Sequence, residues 1–184
     1  MSDLELIVDG EVLTATLLPE KAPESVAAVR EFLPLHSELM HVRWSGHATW
    51  TNIDEIDLPE VPRENHTVYP SYGDLLLYPG YRNEQEILVP CGPTCFKSPV
   101  GELAGNHFAT LDTDRERLAE LEERTLRDGA LDITVRIVDR TLVANNTVFS
   151  GYRPVSDAAG RSPPHRPPTR RSGRHCRPTW RARS

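Results

Sequence analysis

The chain has 184 residues, 38% of them hydrophobic, a formal net charge of −6 and three cysteines. That length sets one domain with at most a short appendage as the expectation, and the odd cysteine count excludes a disulfide framework. No segment approaches the roughly 18 to 20 continuous apolar residues of a membrane-spanning helix, and the acidic opening MSDLELIVDGEVL lacks the pattern of a signal peptide, so a reduced, cytoplasmic protein is expected.

The first element is a hairpin. Leu4 to Val8 and Glu11 to Leu17 flank Asp9-Gly10, a pair that supplies the positive φ angles of a tight primed turn. A helix follows in KAPESVAAVREFLPL: Pro23 suits a first helical position, Val26, Val29 and Leu33 recur at helical spacing, and Pro34 stops it. From His41 to Trp50 apolar and polar residues alternate, with Val42, Trp44, Gly46, Ala48 and Trp50 on one face and His41, Arg43, Ser45, His47 and Thr49 on the other. This predicts one half-buried strand. The acidic, proline-containing stretch from Asn52 to Glu64 shows no period and predicts a surface loop long enough to border a site.

Between Thr67 and Thr110 the chain is organised by three short apolar runs, Leu75 to Tyr78, Ile87 to Val89 and His107 to Thr110, separated by Gly, Pro and Asn. Runs of this length are strands that fold back on one another, which predicts a closed barrel or a sandwich. Next comes a surface helix in which Thr113 and Glu116 fit a capping box, Leu118, Leu121 and Thr125 form a narrow stripe, Gly129 closes the end, and Glu120 to Arg124 and Glu123 to Arg127 are ion pairs one turn apart. Leu131 to Val138 alternates again, and Thr141 to Phe149 is a weaker strand.

From residue 152 the grammar changes. Nine Arg and one Asp in residues 152–184 leave twelve Lys plus Arg against 26 Asp plus Glu in residues 1–151, an acidic body of −14 before a basic tail of +8. The body has no basic face for phosphates, and the Pro/Arg-rich tail has too few aliphatic residues to fold, so nucleic acid is expected only non-specifically through a disordered tail. The tail's composition is equally that of a GC-rich gene read out of frame, which resequencing the gene's end would test.

The order of these motifs carries a resemblance. KAPESVAAVREFL after a hairpin is similar to the opening of cyclophilins, and HVRWSGHATW, YGDLLLYPG, CGPT and GELAGNHFAT together resemble the bacterial cyclophilin-like domains of unassigned function, over residues 1 to about 140. The resemblance implies a closed cyclophilin-like β-barrel with two helices in residues 1–151. Arg43 alone falls where a prolyl isomerase of that fold has its Phe-His-Arg motif, and the later isomerase motifs are missing. More remotely the fold is similar to the opine synthases of the cucumopine type, which close a ring on an imine of an amino acid and a keto acid.

A small barrel is filled by its own side chains, so a ligand must sit on the outer face or at a mouth. The polar face of His41 to Trp50 is the expected floor, with Arg43 and His47 about 13 Å apart along the strand. Arg43 is the candidate carboxylate clamp, and His47 and His107 are the candidate proton-transfer groups, since imidazole exchanges protons near neutral pH. Tyr78, Tyr81 and Glu84, from a loop with two aromatics and a guanidinium, are expected to line the site.

The CGPTC spacing does not fit zinc, and there is no phosphate-binding glycine loop, no HExxH and no serine nucleophile elbow, so no cofactor and no metal are expected. The reading is a small-molecule site for an amino-acid-like or other carboxylate ligand, with catalysis left open. Its rival is a peptide-binding module or peptidyl-prolyl isomerase. No membrane partner is expected, and a homo-oligomer is compatible with the fold.

Overall fold

A computed structural model describes residues 3–138. The elements in chain order are β1 (Leu4–Val8), β2 (Glu11–Leu17), α1 (Pro23–Phe32), β3 (Leu35–His41), β4 (Gly46–Asn52), β5 (His66–Thr67), β6 (Asp74–Tyr78), β7 (Glu86–Thr94), β8 (Lys97–Ser98), β9 (Gly101–Glu102), β10 (Gly105–Leu111), α2 (Arg115–Arg127) and β11 (Leu131–Ile137). The expected strand at Thr141 to Phe149 and the expected disordered tail at residues 152–184 lie outside the described residues. Among the described residues no helix is long and apolar enough to cross a membrane.

The fold is mainly β, a closed antiparallel barrel with two helices. Its strands run β2-β1-β11-β3-β4-β7-β6-β10, and the ring shuts where Ala109, Thr110 and Leu111 of β10 pair with Leu17, Thr16 and Ala15 of β2. Closure removes the unpaired edges an open sheet would expose. The short β5 pairs with the other half of β10, and β8 and β9 form a separate small hairpin.

Two apolar layers follow from strand alternation. One set of positions, including Leu4, Leu6, Leu13, Leu39, Leu75, Leu77, Ile87, Val89, Phe108 and Ile133, fills the barrel together with Val26 and Val29 of α1 and Leu118 and Leu121 of α2. The intervening positions on β4, β6 and β7 (Ala48, Leu76, Tyr78, Leu88) point outward and are covered by Phe96 and Leu103 from the β7–β10 connection. Continuous apolar runs such as Leu75 to Tyr78 therefore reflect burial on both faces.

The expected single strand from His41 to Trp50 is instead a hairpin. β3 ends at His41, the chain turns through Val42 to Ser45, and Gly46 begins β4 at φ +95°. The turn is closed by Ser45 N–H donating to Val42 O and Val42 N–H donating to Ala48 O. Alternation persists across such a turn, so period alone does not reveal it. The Ser45-Gly46 pair was the local signal.

The polar face of β4 is also turned inward. Thr49 and Thr51 pair with Val89 and Ile87, whose side chains fill the barrel, while Trp50 pairs with the outward Leu88. Both threonines are fully buried. An alternating strand shows that its faces differ but not which one meets the core, and here an outer layer takes the apolar face.

α1 begins at Pro23 and ends before Pro34, as the proline positions require. The fully buried Asn106 holds it: Nδ2 donates to Ser25 Oγ (2.9 Å) and Pro62 O (2.8 Å), and Oδ1 accepts from Glu64 N–H (3.3 Å). The Asn52 to Glu64 connection is a loop, but it is pinned inward by the buried Ile53 and Val61.

α2 starts one residue later than its capping box suggests. Asp114 is the N-cap, accepting from Arg117 N–H at 2.9 Å, while Thr113 Oγ1 is buried without a partner. The Glu123–Arg127 pair forms, whereas Arg124 leaves Glu120 and reaches Asp9 Oδ2 (2.7 Å) and Glu11 Oε2 (3.4 Å) in the β1–β2 hairpin. With Arg117 also on Glu11, these contacts orient α2 across the barrel end.

Candidate functional site

Where α2 crosses the barrel end, a cavity of about 480 Å³ opens between the helix, the start of β4, the Cys91 to Pro93 segment of β7 and the Pro70 to Tyr72 loop. His47 enters it from the inward face of β4. Its ring lies against the bare backbone of Gly92, where an added Cβ would stand 2.9 Å from His47 Cβ. No larger residue fits there without displacing the histidine.

Glu122 of α2 meets His47 with both oxygens, each 3.0 Å from Nδ1. Oε1 also receives Nε2 of His41 at 3.1 Å. A carboxylate accepts hydrogen bonds, which makes Nδ1 of His47 the donor in this contact and leaves Nε2 as the other ring nitrogen. The side chain of His47 is 59% exposed and that of Glu122 12%, which makes the carboxylate the sheltered member and the imidazole the accessible one.

Two further groups set the character of the cavity. Arg115, the first residue of α2, lies over the Tyr72 ring at 4.4 Å and supplies a positive charge at the wall. Cys91 is buried and its Sγ–H donates to Val89 O at 3.5 Å. Burial pushes its thiol up to about 12, so it is a neutral lining group and not a thiolate nucleophile. Cys95 also carries a free thiol and faces Glu102 at 3.8 Å. Among the described residues no group of three His, Cys, Asp or Glu side chains is placed to hold a metal ion.

Of the residues expected to bind or transfer protons, only His47 lines this cavity. Arg43 sits exposed in the β3–β4 turn, so the spacing along one strand that related it to His47 does not exist. Tyr78 is buried in the outer apolar layer, with its hydroxyl accepting from Arg82 N–H at 3.0 Å. Tyr81 packs edge-on against Tyr78, donates to Val61 O at 2.9 Å and carries Arg63 on its ring face at 4.8 Å. Glu84 is exposed and accepts from Asn83 Nδ2 at 2.7 Å.

His107 belongs to the outer face of β10, where Nε2 faces Thr110 Oγ1 (2.9 Å) and Asp74 Oδ1 (3.3 Å). Burial draws its pKa downward, and the Asp74 charge partly offsets that. The other Asp74 oxygen accepts from Ser71 N–H at 2.8 Å. His107 therefore braces the loop that carries Ser71 and Tyr72 to the cavity.

Glu122, Arg115 and Tyr72 were not singled out in the sequence, and His41 entered there only as a member of the polar face. Glu122 there is one of many charges on an apparently solvated helix. Its signal is positional: one helical turn beyond Leu118, it lies next to the apolar stripe.

A family model described as a protein of unknown function, DUF3830, matches residues 4–137. The chain belongs to the DUF3830 family. Comparison with curated proteins finds no match to the sequence. Among solved structures, this DUF3830 chain is similar to McbB, solved in complex with tryptophan, at 19% identity and a TM-score of 0.59, over 88% of this chain and 49% of McbB. The DUF3830 chain thus spans about half the length of McbB, and the likeness is one of fold. A second similar structure is the hypothetical protein AF2241 from Archaeoglobus fulgidus, at 17% identity and a TM-score of 0.49, over 74% of this chain and 95% of that one.

Proposed function

We propose that the cavity beneath α2 binds a small carboxylate-bearing molecule and that His47 exchanges a proton with it. The observation that carries this reading is the His47 ring, whose Nδ1 is fixed by both oxygens of Glu122 while the ring stands exposed in a cavity that also holds Arg115. A sheltered carboxylate fixes the imidazole tautomer and stabilises the imidazolium, the arrangement that makes Nε2 a general base. Arg115 takes the clamp role expected of Arg43, because a guanidinium binds a carboxylate through two parallel hydrogen bonds. Tyr72 and Pro93 supply flat apolar walls for the rest of the ligand.

The cyclophilin-like resemblance of the sequence and the barrel shared with a protein that binds tryptophan support a small-molecule site on this scaffold. They carry no reaction with them, since one fold hosts many chemistries.

The test is a calorimetric titration of the full chain with amino acids and 2-oxo acids, followed by NMR detection of solvent deuterium entering the bound acid. Arg115→Ala is expected to weaken binding about tenfold or more, and His47→Gln to keep binding but stop the exchange. Binding that is indifferent to Arg115 would remove the clamp. Tight binding of proline-containing peptides, with no small acid bound, would favour the peptide module or prolyl isomerase instead.

A further inference from the structure

On the outer side of the β3–β4 hairpin a recess of about 70 Å³ is lined by His41, Val42, Trp44, Trp50, Glu84 and Glu86, among others. Glu86 is 4% exposed. Among the described residues no hydrogen bond or ion pair holds its carboxyl group, whose oxygens open to the recess. Lys97 also borders the recess without pairing to Glu84 or Glu86. Burial first, and then the charges of Glu84 and Asp54, push the Glu86 carboxyl up to about 8.

Beside this unpaired carboxyl stand two indoles, and Trp44 is 65% exposed. Indole faces attract organic cations, and the attraction grows once the cation is withdrawn from water. A primary ammonium group brings three N–H donors to a carboxylate, whereas a trimethylammonium head brings none. We propose that Glu86, Trp44 and Trp50 form a second binding recess that takes a primary ammonium group. The ammonium group would hydrogen-bond to the Glu86 carboxylate and lie against the indole faces. A free alkylamine and the side chain of a peptide lysine present the same chemistry.

The full chain, labelled with ¹⁵N, reports on this through the indole N–H resonances of Trp44 and Trp50, assigned with Trp44→Phe and Trp50→Phe. Titration with n-propylammonium chloride is expected to shift both resonances to saturation. Sodium chloride and tetramethylammonium chloride at equal ionic strength are expected to leave them in place. Glu86→Gln is expected to lower the affinity at least tenfold, and Trp44→Ala, at an exposed position that spares the fold, to lower it as well. Removing a like charge by Lys97→Ala is expected to strengthen it. Because the cation needs the ionised carboxylate, affinity should rise about tenfold per pH unit below 8 as binding expels one proton. A Gly-Lys-Gly peptide that binds more tightly than propylammonium identifies lysine as the source, and equal binding identifies the free amine. Equal shifts with sodium chloride, or a Glu86→Gln protein that binds propylammonium as the parent does, would overturn the proposal.

Discussion

Glu122 and His47 lie 75 residues apart in sequence, yet both carboxylate oxygens of the first stand 3.0 Å from Nδ1 of the second. The contact exists because α2 crosses the barrel end at the point where the inward face of β4 emerges. Glu122→Gln replaces the acceptor carboxylate by an amide of the same shape. If His47 is a general base, proton exchange with a bound acid should fall about a hundredfold, the scale of a positioned acid–base group, while affinity for the acid stays within a few-fold. A parallel loss of affinity would assign Glu122 to ligand contact.

Gly92 is the second lever on that site. A Cβ there would stand 2.9 Å from His47 Cβ and 3.4 Å from Cγ, so Gly92→Ala must push the ring aside. Thermal melts should show a cost of about 1 kcal/mol, the scale of mild overpacking. Ligand binding or proton exchange should fall far more than stability. An alanine variant with unaltered exchange would place the chemistry elsewhere.

Glu86 gives the fold a pH dependence of definite sign. Its carboxyl titrates near 8 in the native chain against an ordinary 4.5, so between those values the native state holds a proton that the unfolded chain has lost. Stability is then full below about 4.5 and declines as pH rises towards 8, by on the order of a few kcal/mol. Glu86→Gln cannot ionise. Denaturant melts of the two proteins from pH 4 to 9 should diverge steadily, with the variant more stable at the alkaline end; parallel profiles would show that the carboxyl is not held neutral.

Asn106 tests the scaffold without touching the cavity. Its three hydrogen bonds tie α1 and the Asn52–Glu64 loop to β10, and Asn106→Leu would leave Ser25 Oγ, Pro62 O and Glu64 N–H short of a partner. Each stranded group costs about 1 to 3 kcal/mol. The chemical-denaturation midpoint should therefore drop markedly, while the His47–Glu122 contact, seen as the imidazole resonances by NMR, is preserved at temperatures where the variant stays folded.

Several elements were legible from local chemistry alone. Asp9-Gly10 specifies its own turn, Pro23 and Pro34 bound α1, and the three apolar runs between Thr67 and Thr110 are strands because nothing longer fits between their breakers. Such signals need only neighbouring residues, whose spacing fixes the backbone angles available. The same logic failed at His41 to Trp50, where alternation continues across the turn that ends at Gly46.

The sequence by itself determined that this chain folds short strands back on one another, since hydrophobic period and turn residues are local properties; that they close into a barrel and not a sandwich was decided by the pairing of β10 with β2. Tertiary structure alone decided which face of β4 looks inward, because that depended on Phe96 and Leu103 covering the other face. It also decided that Glu122, one carboxylate among several on α2, shelters beside His41 and His47. Spacing along the chain carries no record of such a pairing: it is set by where closure of the ring and the Arg117 and Arg124 contacts bring the helix to rest.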